Sequence, residues 1–95
     1  MMKTASYKIA PSCAYEYFDT NSTNARVVCA IPGSEAIVLG GSGTLIWEIL
    51  TQDFQTESDL VNEIANRAEV PPEFISEDVR ATLRRLSESG LVEMI

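Results

Sequence analysis

The chain has few residues that could carry covalent or metal chemistry. It contains two cysteines, Cys13 and Cys29, and no histidine. Without an imidazole there is no Ser-His or Cys-His pair to activate a nucleophile, and two thiols alone cannot supply the four ligands of a zinc site. The cysteines also lack the C-x-x-C spacing of a redox motif. We therefore predict no metal and no catalytic residues, and we interpret both cysteines as small hydrophobic residues.

Two further patterns resemble sites but have simpler explanations. Residues 40–43, Gly-Gly-Ser-Gly, open a helical segment, where free backbone N–H groups can hold an anion. The stretch lacks the G-x-G-x-x-G spacing and no lysine follows it, so it predicts a strand-to-helix corner. The acid pairs Glu57 with Asp59 and Glu77 with Asp78 fall in predicted first turns of helices, where carboxylates complement the helix dipole. We therefore expect no cofactor and no enzyme activity.

The charge of the chain is negative and unevenly distributed. The formal net charge is −7; residues 1–50 hold three basic and four acidic residues, whereas residues 51–95 hold four basic and ten acidic ones. Only Arg80, Arg84 and Arg85 come near to forming the cation cluster that phosphate backbones require. We therefore predict no nucleic-acid partner and no membrane partner. No signal peptide or long apolar run is visible, which predicts a cytoplasmic protein.

The strands that would position a site lie before Gly40, where the hydrophobic periodicity changes. Three segments there are rich in β-branched and aromatic residues and are bounded by turn formers, which predicts an antiparallel meander. These segments are residues 15–18, 26–31 and 36–39, with a Pro32-Gly33 turn before the last.

Three helices are predicted in the remaining residues. The first follows the glycine-rich corner with Ser42 as its cap, and Trp47 stands among aliphatic residues on it, which predicts a central core helix. The second begins at the capping residue Thr56 and is stopped by Pro71-Pro72. The third spans residues 76–89 and ends in a Gly-Leu pair that fits a Schellman motif. The predicted apolar stripes are Leu60, Val61, Ile64, Ala65 and Ala68 in the second helix and Val79, Leu83 and Leu86 in the third.

Three segments together resemble the PqqD-type peptide-recognition domain. They are LGGSGTLIWEIL at residues 39–50, TESDLVNEIANRAEV at residues 56–70 and EDVRATLRRLSESGL at residues 77–91. The resemblance implies an α+β fold, with a three-stranded antiparallel sheet followed by three helices in a winged helix-turn-helix-like arrangement. We expect residues 1–95 to form a single such domain, with residues 1–13 as a flexible arm.

The resemblance also implies a function without catalysis. Members of the family bind the leader of a ribosomally made precursor peptide by β-strand addition and present it to a modifying enzyme, such as a radical SAM protein, a cyclase or a leader peptidase. Mapped onto this sequence, the expected peptide-binding residues are Glu35, Ala36, Ile37, Val38 and Leu39 on the edge strand and Asp78, Thr82 and Arg85 on one flank of the last helix. Thr82 stands where the family often has an aromatic residue, which implies a shallower groove.

Two other functions stay open at this point. Strands followed by three helices are also typical of a winged-helix transcriptional regulator that binds DNA. The third interpretation is a small enzyme subunit that uses Cys13 or Cys29. The sequence names neither the precursor peptide nor the partner enzyme, and a homodimer is one of the oligomeric states it leaves open.

Overall fold

The computed structural model describes residues 5–19 and 24–95, which form two antiparallel sheets and three helices. The strands are β1 (Ser6–Ile9), β2 (Ala14–Phe18), β3 (Arg26–Ala30), β4 (Ile37–Gly40), β5 (Gln55–Thr56) and β6 (Val92–Met94). The helices are α1 (Ser42–Ile49), α2 (Glu57–Ala68) and α3 (Ser76–Glu88), with a short 3-10 helix, Pro72–Phe74, between the last two. The predicted α+β class, with a meander and three helices, is confirmed.

The predicted meander is the sheet β2–β3–β4, with β3 in the centre. Side chains alternate between its two faces because successive Cβ atoms point to opposite sides of a strand. Val27 and Cys29 of β3 are fully buried against the helices, whereas Val38 of β4 is 58% exposed on the opposite face. One face of the meander therefore closes the core and the other is open.

The edge strand β4 begins later in the chain than predicted, at Ile37. Glu35 and Ala36 precede it, because the chain is still leaving the turn at Pro32-Gly33, where Gly33 adopts a φ of +83°. Pairing with β3 starts only at Ile37, opposite Cys29. The two residues before it are exposed and belong to neither the turn nor the strand.

The N-terminal segment contains a strand, which corrects the prediction that residues 1–13 form a flexible arm. Ser6–Ile9 form β1, the central strand of the second sheet, between β5 and β6. Tyr7 and Ile9 are buried, so pairing and core packing both hold the segment in place. The alternating pattern is only four residues long and its partner strands lie in the second half of the chain, so local periodicity is too weak to predict this strand. Residues 1–4 of the predicted arm lie outside the described residues.

One hydrophobic cluster includes residues of both sheets and all three helices. Trp47 of α1 lies within it at 1% exposure, as predicted, and its ring meets that of Tyr15 edge-on at 5.4 Å between centroids. That residues 1–95 form a single domain stays a prediction, since eight of them are not described.

The start of α1 differs from the prediction. Ser42 is the first helical residue rather than the cap; the cap position is Gly41, at a φ of +56°, and no side chain caps the helix. A glycine adopts this conformation without the Cβ clash that other residues suffer. Thr44, which is buried, instead ties the helix to the meander, since its hydroxyl lies 3.3 Å from the carbonyl oxygens of Ala25 and Leu39.

The ends of α2 and α3 follow the predicted capping chemistry. The Thr56 hydroxyl accepts a hydrogen bond from the Asp59 N–H at 3.1 Å. At the end of α3, Gly90 has a φ of +84°, and the Leu91 N–H donates to the Leu86 carbonyl at 3.1 Å, which completes the Schellman motif. The predicted stripe of α2 is buried except for Ala68, which is exposed because the helix ends there beyond the core.

Candidate functional site

A groove of about 440 Å³ lies between β4, the start of α1 and the second half of α3. A strand edge forms one wall and a helix flank forms the other, so a bound chain would meet backbone groups on one side and side chains on the other. The residues that line it are Ile37, Val38, Leu39, Gly40, Ser42, Gly43, Thr82, Arg85, Leu86 and Ser89.

The strand wall is an open sheet edge, because β3 pairs with β4 on one side and no strand of the described ranges pairs with it on the other. In an antiparallel sheet, the backbone groups of successive residues point alternately to the two neighbouring strands. The Ala30 N–H hydrogen-bonds the side chain of Cys13, which immediately precedes β2. Ala30, and with it Val28 two residues earlier, therefore directs its backbone groups towards β2.

This alternation fixes which groups of β4 face the groove. Val28 lies opposite Val38, and since Val28 bonds to β2, the backbone N–H and C=O of Val38 point away from β3 and into the groove. Gly40 lies two residues further along the strand, so its backbone N–H and C=O also point into the groove. Ile37 and Leu39 point their backbone groups to β3 and maintain the sheet. The open edge therefore offers the backbone groups of two residues.

The helix wall is set by the apolar stripe of α3. Val79, Leu83 and Leu86 are buried, and this fixes the rotation of the helix about its axis. At about 100° per residue, the flank that carries Thr82 and Arg85 then turns to the groove. Thr82 is partly buried and Arg85 is exposed. This is the flank that the sequence analysis selected.

The structure brings together five of the predicted site residues and separates three. Those lining the groove are Ile37, Val38, Leu39, Thr82 and Arg85. Glu35, Ala36 and Asp78 do not line it, because β4 is only four residues long and the groove beside it spans only the second half of α3. The role of all eight residues in peptide binding stays a prediction.

Sequence reasoning missed five lining residues for different reasons. Ser89 follows Arg85 by four positions on the same helix face, so helical spacing could have found it. Leu86 was predicted as core, and it also borders the groove. Gly40, Ser42 and Gly43 were interpreted as a corner, and only the packing of α1 beside α3 places that corner in the groove.

The two thiols lack the properties of reactive cysteines. Burial raises the pKa of Cys29 to about 12 and also raises the pKa of Cys13. A nucleophilic cysteine needs the opposite shift, because the thiolate is the reactive form. Residues 5–19 and 24–95 hold no group of three or more acidic or cysteine side chains placed to bind a metal ion. None of the helices described has the length and apolar character needed to cross a membrane.

Comparison with known protein families shows which family the chain belongs to. The family model for "Coenzyme PQQ synthesis protein D (PqqD)" matches residues 17–92, most of the sequence. This chain belongs to the PqqD family. The resemblance noted in the three sequence segments is thereby confirmed, and the matched range includes both walls of the groove.

A solved structure shares the fold of this PqqD-family chain. It is described as "TbiB1 in Complex with the TbiA(beta) Leader Peptide", and it aligns with a TM-score of 0.73 at 23% sequence identity. The alignment covers 90% of this chain and 94% of that chain, so most of the fold is shared. No curated protein sequence matches the chain.

Proposed function

We propose that this PqqD-family chain binds the leader of a ribosomally made precursor peptide by strand addition to β4 and does not itself catalyse a reaction. The observation that carries the proposal is the groove, in which an open strand edge faces a helix flank across about 440 Å³. Membership of the PqqD family supports it, and so does the fold relative TbiB1, whose structure holds a leader peptide.

Strand addition would provide hydrogen-bond partners for the unpaired backbone groups at the open edge of β4, as a further strand does in any sheet. The backbone groups of Val38 and Gly40 would pair with the peptide, and such main-chain bonds supply affinity without depending on sequence. Specificity would come from side chains that the peptide directs at Thr82, Arg85 and Leu86 on the helix wall. This division suits a protein that must hold one segment while another enzyme acts elsewhere on the same peptide.

The second partner would be the modifying enzyme, of the radical SAM, cyclase or leader peptidase class. The chain would contribute recognition and the enzyme would contribute chemistry. The raised pKa values of both thiols argue against a catalytic use of Cys13 or Cys29. The regulator hypothesis is weakened by the ion pair between Arg80 and Glu57, at 3.1 Å, which occupies one of the three arginines that a DNA-binding helix would need.

Amide chemical-shift titration would test the proposal. The ligand is the leader of the precursor-like reading frame that neighbours the gene, and a scrambled peptide of the same composition is the control. We expect shifts in residues 37–40 and 82–89 with the leader and none with the scrambled peptide. Shifts confined to α2, with both walls of the groove silent, would contradict strand addition, and retardation of duplex DNA at low salt would favour the regulator instead.

A further inference from the structure

The groove has the opposite charge to the molecule around it. Among the residues that the structure describes, Arg85 is the one charged side chain in its lining, and no carboxylate lines it. The chain as a whole has a formal net charge of −7. A negative side chain on a visiting peptide would therefore be attracted at this position and repelled over most of the remaining surface.

Arg85 is also available to a ligand. Lys8, Arg67 and Arg80 each form an ion pair with a glutamate, at 3.5, 3.5 and 3.1 Å, whereas Arg85 forms none with any residue of the described ranges. Glu88, three positions further along α3, lies outside the groove lining and forms no ion pair with Arg85. A guanidinium that is not held by an internal carboxylate can bind an external one through two parallel hydrogen bonds.

The remaining lining constrains where such a carboxylate would stand in the peptide. Leu39 and Leu86 give the groove apolar surface beside Arg85. An extended peptide presents every second side chain to the same wall. A carboxylate opposite Arg85 and an apolar side chain opposite Leu86 would thus be separated by an even number of positions. The first turn of α1, which borders the groove at Ser42, contains no acidic residue that would oppose the carboxylate.

We infer that the groove selects extended peptide segments with an aspartate or glutamate opposite Arg85 and an apolar side chain an even number of positions away. The inference rests on the proposed function and names the peptide class that this site prefers. Arg85 acts in it as a specificity-determining residue, since the backbone pairing along β4 would be common to all peptides.

Selection from a displayed library of random twelve-residue peptides tests the inference. The baits are the wild-type chain and the Arg85→Glu and Arg84→Glu variants; Arg84 is the same residue type at the neighbouring position but does not line the groove. We expect the wild type and Arg84→Glu to enrich peptides with an acid at fixed even spacing from an apolar residue. Arg85→Glu should enrich lysine or arginine at that place. Circular dichroism checks that each bait is folded, and Arg85→Gln replaces Arg85→Glu if the latter is not.

Matched synthetic peptides then measure the preference. A selected peptide and its Glu→Gln analogue should differ about 5- to 30-fold in Kd for the wild type, the range that a charge-assisted contact at a partly exposed site gives. The ratio should fall to about one for Arg85→Gln, and it should shrink for the wild type as salt is raised.

The outcomes separate this inference from the proposed function. Peptides enriched without an acidic position, or with the same acidic position in Arg85→Glu, would overturn the inference and leave strand addition standing. Failure of the folded wild type to enrich any peptide would overturn both.

Discussion

β2 and β4 are the two edges of the same sheet, yet within the described residues a groove with a helix wall lies beside β4 and not beside β2. Both are short strands paired with β3, and no strand of residues 5–19 and 24–95 pairs with the outer side of either. Beside β4 stand α3 and the start of α1, whereas the hollow beside β2 is lined only by residues of β2 and β3. Tyr15 and Phe18 of β2 are 43% and 46% exposed, and no helix of the described residues lines the hollow that they border.

The difference shows that an open strand edge is necessary but not sufficient for a peptide site. Backbone pairing is available at both edges, and it carries little sequence information. The helix wall adds side-chain contacts on a second surface, which raise affinity and permit selection. We therefore expect binding at β4 and weak or no binding at β2, and the following variants test that contrast.

The largest effect should come from Trp47, the core residue beneath the sheet that both edges share. Trp47→Ala should lower the free energy of unfolding by about 3–5 kcal/mol, because it removes a large buried side chain. Urea denaturation measures this, with Trp47→Phe as the milder control. If Trp47→Ala kept its stability and lost only peptide binding, the indole would belong to a site rather than to the core.

Proline substitutions should distinguish residues of β4 whose N–H points to β3 from residues whose N–H points into the groove. Leu39→Pro should cost about 1–3 kcal/mol of stability, because it removes a donor that bonds to β3 and leaves the acceptor unsatisfied. Val38→Pro should cost about 1 kcal/mol and weaken leader binding at least about tenfold, because its N–H points into the groove. Calorimetric titration and urea denaturation report the two quantities. Equal stability losses for both variants would contradict the backbone parity inferred for β4.

The corresponding change at the other edge sharpens the comparison. Glu16 lies opposite Val28, whose backbone groups we infer to point to β2, so the N–H of Tyr15 should point away from the sheet. Tyr15→Pro should therefore leave leader binding within about twofold of the value for Tyr15→Ala, which controls for the lost aromatic ring. A tenfold loss confined to Tyr15→Pro would place a peptide at β2.

Two buried groups in the sheet near β2 should also make the stability of the protein sensitive to alkaline pH. Burial raises the pKa of Tyr17 on β2 and of Cys29 on β3 to about 12, against about 10 and about 8.5 for the unfolded chain. Between these values the unfolded chain loses protons that the folded chain keeps, so stability is full below about pH 8.5 and falls as pH rises to about 12. Urea denaturation of Tyr17→Phe and Cys29→Ala from pH 7.5 to 10.5 should show a shallower fall than the wild type. If the stability of the variants fell with pH as steeply as that of the wild type, ionisation of Tyr17 and Cys29 would be excluded as the cause.

The smallest effect is expected from Asp78. It lies on the predicted flank of α3 but outside the groove, so Asp78→Ala should change both stability and leader binding by less than about 0.5 kcal/mol. Thr82→Ala, one turn further along and inside the groove, is the matched comparison and should weaken binding more. Equal losses for the two would mean that the peptide extends beyond the groove towards the start of α3.

The sequence by itself determined the elements whose signals are local. The meander, the cap at Thr56, the Schellman end at Gly90 and the buried stripe of α3 all follow from residue types within one or two turns. The helical spacing of that stripe also defined two flanks of α3, one with Thr82 and Arg85 and the other with Arg80 and Arg84, but it left open which flank borders the groove.

Only the tertiary structure decided what depends on distant parts of the chain. β1 is a strand because β5 and β6 come to either side of it, and four alternating residues carry too weak a signal to predict that. The limits of the groove depend on where β4 begins and how far along α3 the groove reaches, and this leaves Glu35, Ala36 and Asp78 outside its lining. The corner at residues 40–43 lines the groove because α1 packs beside α3. That packing depends on the whole core and not on the residues of the corner.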